Sequence, residues 1–176
     1  MSNLTGNARK VALITGANKG IGFEITRQLG RAGMTVLLGA RNSKQGEASA
    51  ATLRGEGIDV YTRPLDLLKK ETISAAAEWI GSQYGRLDVL VNNAGIVDRD
   101  DGPLSSADLE AVRRVFDVNF FGTLAVTKAM LPLMRKANAG RIVILSSGLG
   151  SLTLNSDPTW VFASYKLLGY CGPRQP

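Results

Sequence analysis

Short apolar runs alternate with longer stretches whose apolar positions recur at helical spacing, and this rhythm persists along most of the chain. "KVALIT" (residues 10–15) is a compact apolar run rich in β-branched residues, and "GANKG" follows it as a glycine-punctuated turn. This pair predicts a buried strand feeding a loop. From Ile21 onward, Phe23, Ile25, Leu29 and Ala32 share one helical face, with Gly33 as the stop. "MTVLLGA" (34–40) reads as a second buried strand, and a polar, alanine-rich segment runs from it to about Leu53, closed by "GEG". "IDVYTRPLD" (58–66) gives a third strand with Pro64 near its end, and "TISAAAEWIGSQYG" (72–85) a helix with Ile73, Ala77 and Ile80 on one stripe.

"LDVLVNNAG" (87–95) supplies a fourth apolar strand. Ser105 with Asp108 forms a capping-box pattern ahead of about thirty residues of helical periodicity that reach Ala137, with "DVNFFG" in the middle and a kink expected at Pro132. "GRIVILSS" (140–147) is the fifth strand, and "GLGSLTLNSDPTWVFA" is expected to be loop. Five strands alternating with four helices predict an α/β fold: a doubly wound, Rossmann-type parallel sheet with right-handed crossovers. In such a sheet, ligands bind outside the carboxyl ends of the strands. One domain is expected over residues 10–170, with a flexible N-terminus (1–9) and an irregular tail (171–176).

Composition narrows the chemistry. The chain has 176 residues, enough for one sizeable core, and no apolar run approaches the ~18 residues that cross a bilayer. With a single cysteine, Cys171, and an opening that lacks a signal-peptide apolar stretch, a cytoplasmic protein without a membrane partner is expected. The absence of histidine excludes a Ser-His-Asp triad and the usual catalytic zinc site, so no metal is expected and acid/base work falls to Tyr, Lys, Asp or Glu. The net charge of +6 is scattered rather than clustered, so it suits an anionic small ligand and does not indicate nucleic acid.

"TGANKGIG" (15–22) sets Gly16, Gly20 and Gly22 between the first strand and the first helix, where glycines let the backbone approach a pyrophosphate. A site for an unphosphorylated ribose usually places Asp or Glu at the end of the second strand, about 20 residues on. This chain carries "GAR" there, and Arg41 with Lys19 could hold a 2′-phosphate, which favours NADPH over NADH.

"TGANKGIG", "NNAG" (92–95), "VNFFG" (118–122) and "SSGLG" (146–150), in this order, resemble the successive motifs of the short-chain dehydrogenase/reductase family. Lys19 and the basic residue after the second strand resemble its NADPH-dependent carbonyl reductase-like members. The resemblance implies an NAD(P)H-dependent oxidoreductase that transfers hydride between the nicotinamide and a small carbonyl or alcohol substrate. It implies that Gly16, Asn18, Lys19, Gly20, Ile21 and Gly22 form the phosphate loop, that Asp66 and the Leu67 backbone meet the adenine, and that Asn92, Ala94 and Gly95 line the cofactor. Asn119 would hold a water in a proton relay, Ser147 would hydrogen-bond the substrate carbonyl, and Tyr170 would handle the proton.

The family carries a Lys four residues after that Tyr, on the same helical face. Here Tyr170 is followed by "CGPRQP", with Arg174 at the spacing and prolines at 173 and 176. The pattern suggests a truncated reading frame, impaired turnover and an impaired version of the family's homo-oligomer. It also exposes "RIVIL" as an apolar sheet edge. Two further readings remain: a dinucleotide-binding module without catalysis, and an incomplete fragment.

Overall fold

The structure is a computed structural model, and it describes residues 9–172. The expectations for residues 1–8 and 173–176, Arg174 among them, lie outside the described residues. Five strands, β1 (Val11–Ile14), β2 (Thr35–Ala40), β3 (Val60–Pro64), β4 (Val89–Asn92) and β5 (Arg141–Ile144), form one sheet in the order β3-β2-β1-β4-β5. Every neighbouring pair is parallel. The order reverses beside β1: the chain moves outward through β2 and β3, then returns to place β4 on the other side. A crevice opens at such a switch point, outside the carboxyl ends of β1 and β4.

Alternation along the strands explains the layers. Val11, Leu13, Leu37 and Leu90 face one core together with Ile73, Ala76 and Ile80 of α3 (Lys70–Tyr84) and Val126, Met130 and Leu133 of α5 (Thr123–Met134). Ala12, Ile14, Val36, Leu38 and Val91 face the other, against Ala50 and Leu53 of α2 (Ser43–Gly55) and Phe23, Ile25 and Leu29 of α1 (Gly20–Arg31). Because both faces are covered, β1 and β2 are buried throughout, which is why they read as continuous apolar runs and not as alternating ones.

The long helix differs from its expected form in three ways. Asp108 itself is the N-cap and accepts from the Glu110 N–H, so the helix α4 begins at Leu109 and the Ser105 capping box does not form. α4 (Leu109–Phe116) then passes through a π-helical segment, Asp117–Gly122, before continuing as α5. The helix ends at Met134 rather than Ala137, and Pro132 lies inside its last turns.

The stretch expected to be loop after residue 147 contains a 3₁₀ turn, Gly148–Gly150, and a short helix α6 (Leu152–Ser156), each capped by a serine side chain. Cys171, expected in an irregular tail, closes a helical turn, α7 (Leu168–Cys171). β5 is an edge strand, with Ile142 43%, Val143 44% and Ile144 62% exposed.

Candidate cofactor and catalytic site

A cleft of about 450 Å³ opens at the switch point. Its floor is the turn between β1 and α1. Gly16 has φ +63°, and a Cβ there would lie 2.9 Å from the Ala94 Cα, so only glycine lets this turn approach the end of β4.

Thr15 locks the two strand ends together. Its hydroxyl oxygen accepts from the Asn93 N–H (3.0 Å) and the Ala94 N–H (2.9 Å). Asn93 answers from the other side: its side-chain amide donates to the carbonyls of Thr15 (2.8 Å) and Gly16 (3.1 Å). The glycine turn is therefore braced against the end of β4.

Every residue expected at the cofactor lines this cleft except Asn92. Asn92 turns the other way, into the sheet–α5 interface, where it is 4% exposed and its amide donates to the Thr127 hydroxyl at 3.0 Å. Strand alternation accounts for the exchange, since consecutive side chains point to opposite faces and Asn93 takes the cleft-facing place. Asp66 stands at the rim, its carboxylate accepting from the Leu68 N–H at 3.1 Å. Asn18 reaches α2 by donating to Gln45, and its carbonyl accepts from Ser49. Lys19 and Arg41 are both exposed on the cleft.

Asn119 lies in the π-helical segment and is 8% exposed. Its side-chain oxygen accepts from the Ile96 N–H at 2.8 Å and its amide donates to the Ile96 carbonyl at 2.9 Å. Ile96 and Val118 in turn line the cleft, so this exchange ties the long helix to the cleft wall.

Ser147 ends the run after β5 and caps the 3₁₀ turn, its oxygen accepting from the Leu149 N–H at 3.2 Å. Tyr170 sits half-buried on α7, which packs against both α4 and that 3₁₀ turn. The structure thus brings the Ser147 and Tyr170 segments into contact, and the Tyr170 segment adjoins the helix whose continuation carries Asn119. Tyr165, five positions before Tyr170, is 53% exposed and packs edge-on against Phe162.

Two positions that matter here escaped the motif reading. Thr15 precedes the glycines and Asn93 is the second Asn of "NNAG"; the signal for both was their place inside conspicuous motifs. Among the described residues, no group of three or more Cys, Asp or Glu side chains is arranged to hold a metal ion.

The parallel sheet, the braced glycine turn and the cleft at its switch point define a doubly wound, Rossmann-type α/β protein. Residues 10–160 match the family model for short chain dehydrogenases, and the chain belongs to that family. It is 42% identical over 144 residues to Carbonyl reductase [NADPH] 1 of Mus musculus, covering 80% of this chain and 50% of that one. Against Short-chain dehydrogenase anuI of Penicillium roqueforti the identity is 37% over 155 residues, covering 86% and 61%.

Among solved structures, a gluconate 5-dehydrogenase from Burkholderia cenocepacia in complex with NADP and tartrate superposes with a TM-score of 0.80 at 27% identity, covering 94% of this chain and 60% of that one. A short chain dehydrogenase from Shigella flexneri complexed with NADP gives a TM-score of 0.78 at 30% identity, covering 94% and 66%. The chain spans 50% and 61% of the length of these two curated relatives.

Proposed function

We propose that this chain binds NADP(H) in preference to NAD(H), in the manner of an oxidoreductase that moves hydride between the nicotinamide and a small carbonyl or alcohol substrate, with the cytoplasm as its compartment. The observation that carries the reading is the cleft itself. A braced glycine turn forms its floor, Lys19 and Arg41 stand on it, and Arg41 follows β2 where an acidic residue would select the unphosphorylated ribose. Names of relatives that include NADPH or NADP point the same way.

The residues present fit the dinucleotide. The Gly16–Gly22 turn would take the pyrophosphate at the N-terminus of α1, where unpaired backbone N–H groups and the helix dipole favour negative charge. Lys19 and Arg41 would hold the 2′-phosphate by charge-assisted hydrogen bonds. Asp66 and Leu67 would border the adenine, and Ala94 and Gly95 the stretch toward the nicotinamide. When bound, the cofactor supplies the hydride chemistry.

The chain's own residues would handle orientation and the proton. Ser147, whose oxygen already accepts from Leu149, has a hydroxyl hydrogen to offer a substrate carbonyl. Tyr170 would exchange the proton with the substrate oxygen, and Asn119 would fix the cleft wall at Ile96. Arg174 occupies the place four residues beyond Tyr170, where the family carries Lys, and its planar fork is a poor substitute for a compact ammonium. The reading therefore includes dinucleotide binding with strongly reduced turnover. Titration with NADPH and NADH, followed by nicotinamide fluorescence, tests it: saturable binding that favours NADPH is expected, and absence of binding by folded protein would refute it.

A further inference from the structure

Asp101 is a buried acid in the segment that joins β4 to α4, 7% exposed, in a stretch that no motif of the family reading touches. Its carboxylate uses both oxygens on α7: Oδ1 accepts from the Gly169 N–H and Oδ2 from the Tyr170 N–H, each at 2.8 Å. A buried carboxylate is costly unless hydrogen bonds satisfy it, and among the described residues no Lys or Arg forms a salt bridge with it. These two amides hold the charge, and the charge holds the turn.

Two further contacts fix the same geometry. The Leu168 N–H donates to the Gly102 carbonyl at 3.0 Å, next to Asp101 in sequence. Gly169 presses on α4 so closely that a Cβ there would lie 3.0 Å from the Val112 Cα and 3.1 Å from the Asp101 Oδ2. The turn is therefore seated on α4 by close backbone approach and oriented by the carboxylate at its leading amides.

The connection reaches further along the same segment. Ile96, five positions before Asp101, is the residue that Asn119 grips from the π-helical segment. The segment from Ile96 to Gly102 thus links the groups proposed to work together, with Asn119 at one end and the Tyr170 backbone at the other.

We propose that Asp101 is a positioning residue for Tyr170, setting the orientation of the tyrosine-bearing turn relative to the cleft through its paired hydrogen bonds to Gly169 and Tyr170. The catalytic sense of this role rests on the assignment of Tyr170 as the proton-handling residue; the positioning itself does not.

Asp101→Asn keeps the shape but turns one acceptor into a donor facing a backbone N–H, so at most one of the two bonds survives. Hydrogen exchange in the full chain should show the Gly169 and Tyr170 amides exchanging roughly tenfold faster in D101N, the loosening expected when a charge-assisted hydrogen bond is lost. The Tyr170 ring resonance in ¹³C-tyrosine NMR should move while those of Tyr61, Tyr84 and Tyr165 stay in place. Exchange in the phosphate loop should be unchanged, which separates a local release from general unfolding. Gly169→Ala, which leaves the carboxylate intact but pushes the turn off α4, should reproduce both effects.

Unchanged protection at residues 169 and 170 and an unmoved Tyr170 resonance in D101N would overturn the proposal. NADPH titration of the same samples tests the functional reading separately: a released turn in a protein that binds no dinucleotide would support the role of Asp101 and refute the cofactor assignment.

Discussion

Asn119 and Ile96 exchange a pair of hydrogen bonds, 2.8 Å into the Asn oxygen and 2.9 Å out of its amide, across the junction between the π-helical segment and the cleft wall. The widened turn makes this possible. An i→i+5 turn shifts side-chain phase relative to regular helix, and π-helical turns of this kind recur at functional sites.

Replacing Asn119 by Leu leaves the Ile96 N–H and C=O without this partner in a half-buried setting. A loss of about 1–3 kcal/mol per unsatisfied group is expected. The urea midpoint should fall with an unchanged slope, and a fully retained midpoint would contradict the structural role of this pair.

Thr15 offers a second test of the frame. Thr15→Val keeps the volume and removes the acceptor for the Asn93 and Ala94 N–H groups. The expected cost is again about 1–3 kcal/mol, with weaker NADPH binding because the glycine turn loses its brace. Loss of stability with unchanged binding would separate the brace from the ligand site.

The exposed face of β5 predicts self-association. Val143 and Ile144 present apolar side chains on an edge strand whose far side has no neighbouring strand among the described residues. Light scattering at rising protein concentration should show association, and Ile144→Lys should reduce it while changing stability by no more than about 0.5 kcal/mol. Equal association of both proteins would remove the edge from the explanation.

Burial, and after it the Asp101 carboxylate, pushes the Cys171 thiol up from its ordinary value despite an opposing hydrogen bond from the Leu167 backbone. Less thiolate is present at neutral pH, so iodoacetamide should modify Cys171 more slowly than a free peptide thiol, with the rate still climbing above the thiol's ordinary pKa. The linked effect on stability has a definite sign. The unfolded thiol releases its proton first, so this contribution is present at lower pH and is lost as pH rises from the unfolded pKa through the folded one. Alkylation as fast as that of the peptide would contradict the half-buried placement of Cys171.

The strands of this fold were legible because each buried run is short and apolar, and because both sheet faces are covered. The glycine turn after β1 was legible because glycine placement is a backbone requirement that sequence shows directly. Less was visible where the outcome depends on direction. Asn92 and Asn93 are chemically identical, and only the pleat of β4 decides that Asn93 meets the cleft.

The cap at Asp108 competed with an equally plausible box starting at Ser105, and the start of the helix at Leu109 decided between them. The π-helical segment has no periodic signal distinct from its flanking helix. Asp101 was invisible for another reason: its partners are backbone amides 68 and 69 positions away, and no pairing rule in sequence reports a carboxylate that binds main chain.

The proposed discrimination by the 2′-phosphate is read from the ratio of NADPH to NADH dissociation constants in the wild-type chain and in Arg41→Asp. Loss of a cation and gain of an anion at that rim should remove the preference for NADPH or reverse it, while leaving NADH binding measurable. An unchanged ratio would mean that Arg41 does not meet the ribose phosphate and that the cofactor preference lies elsewhere.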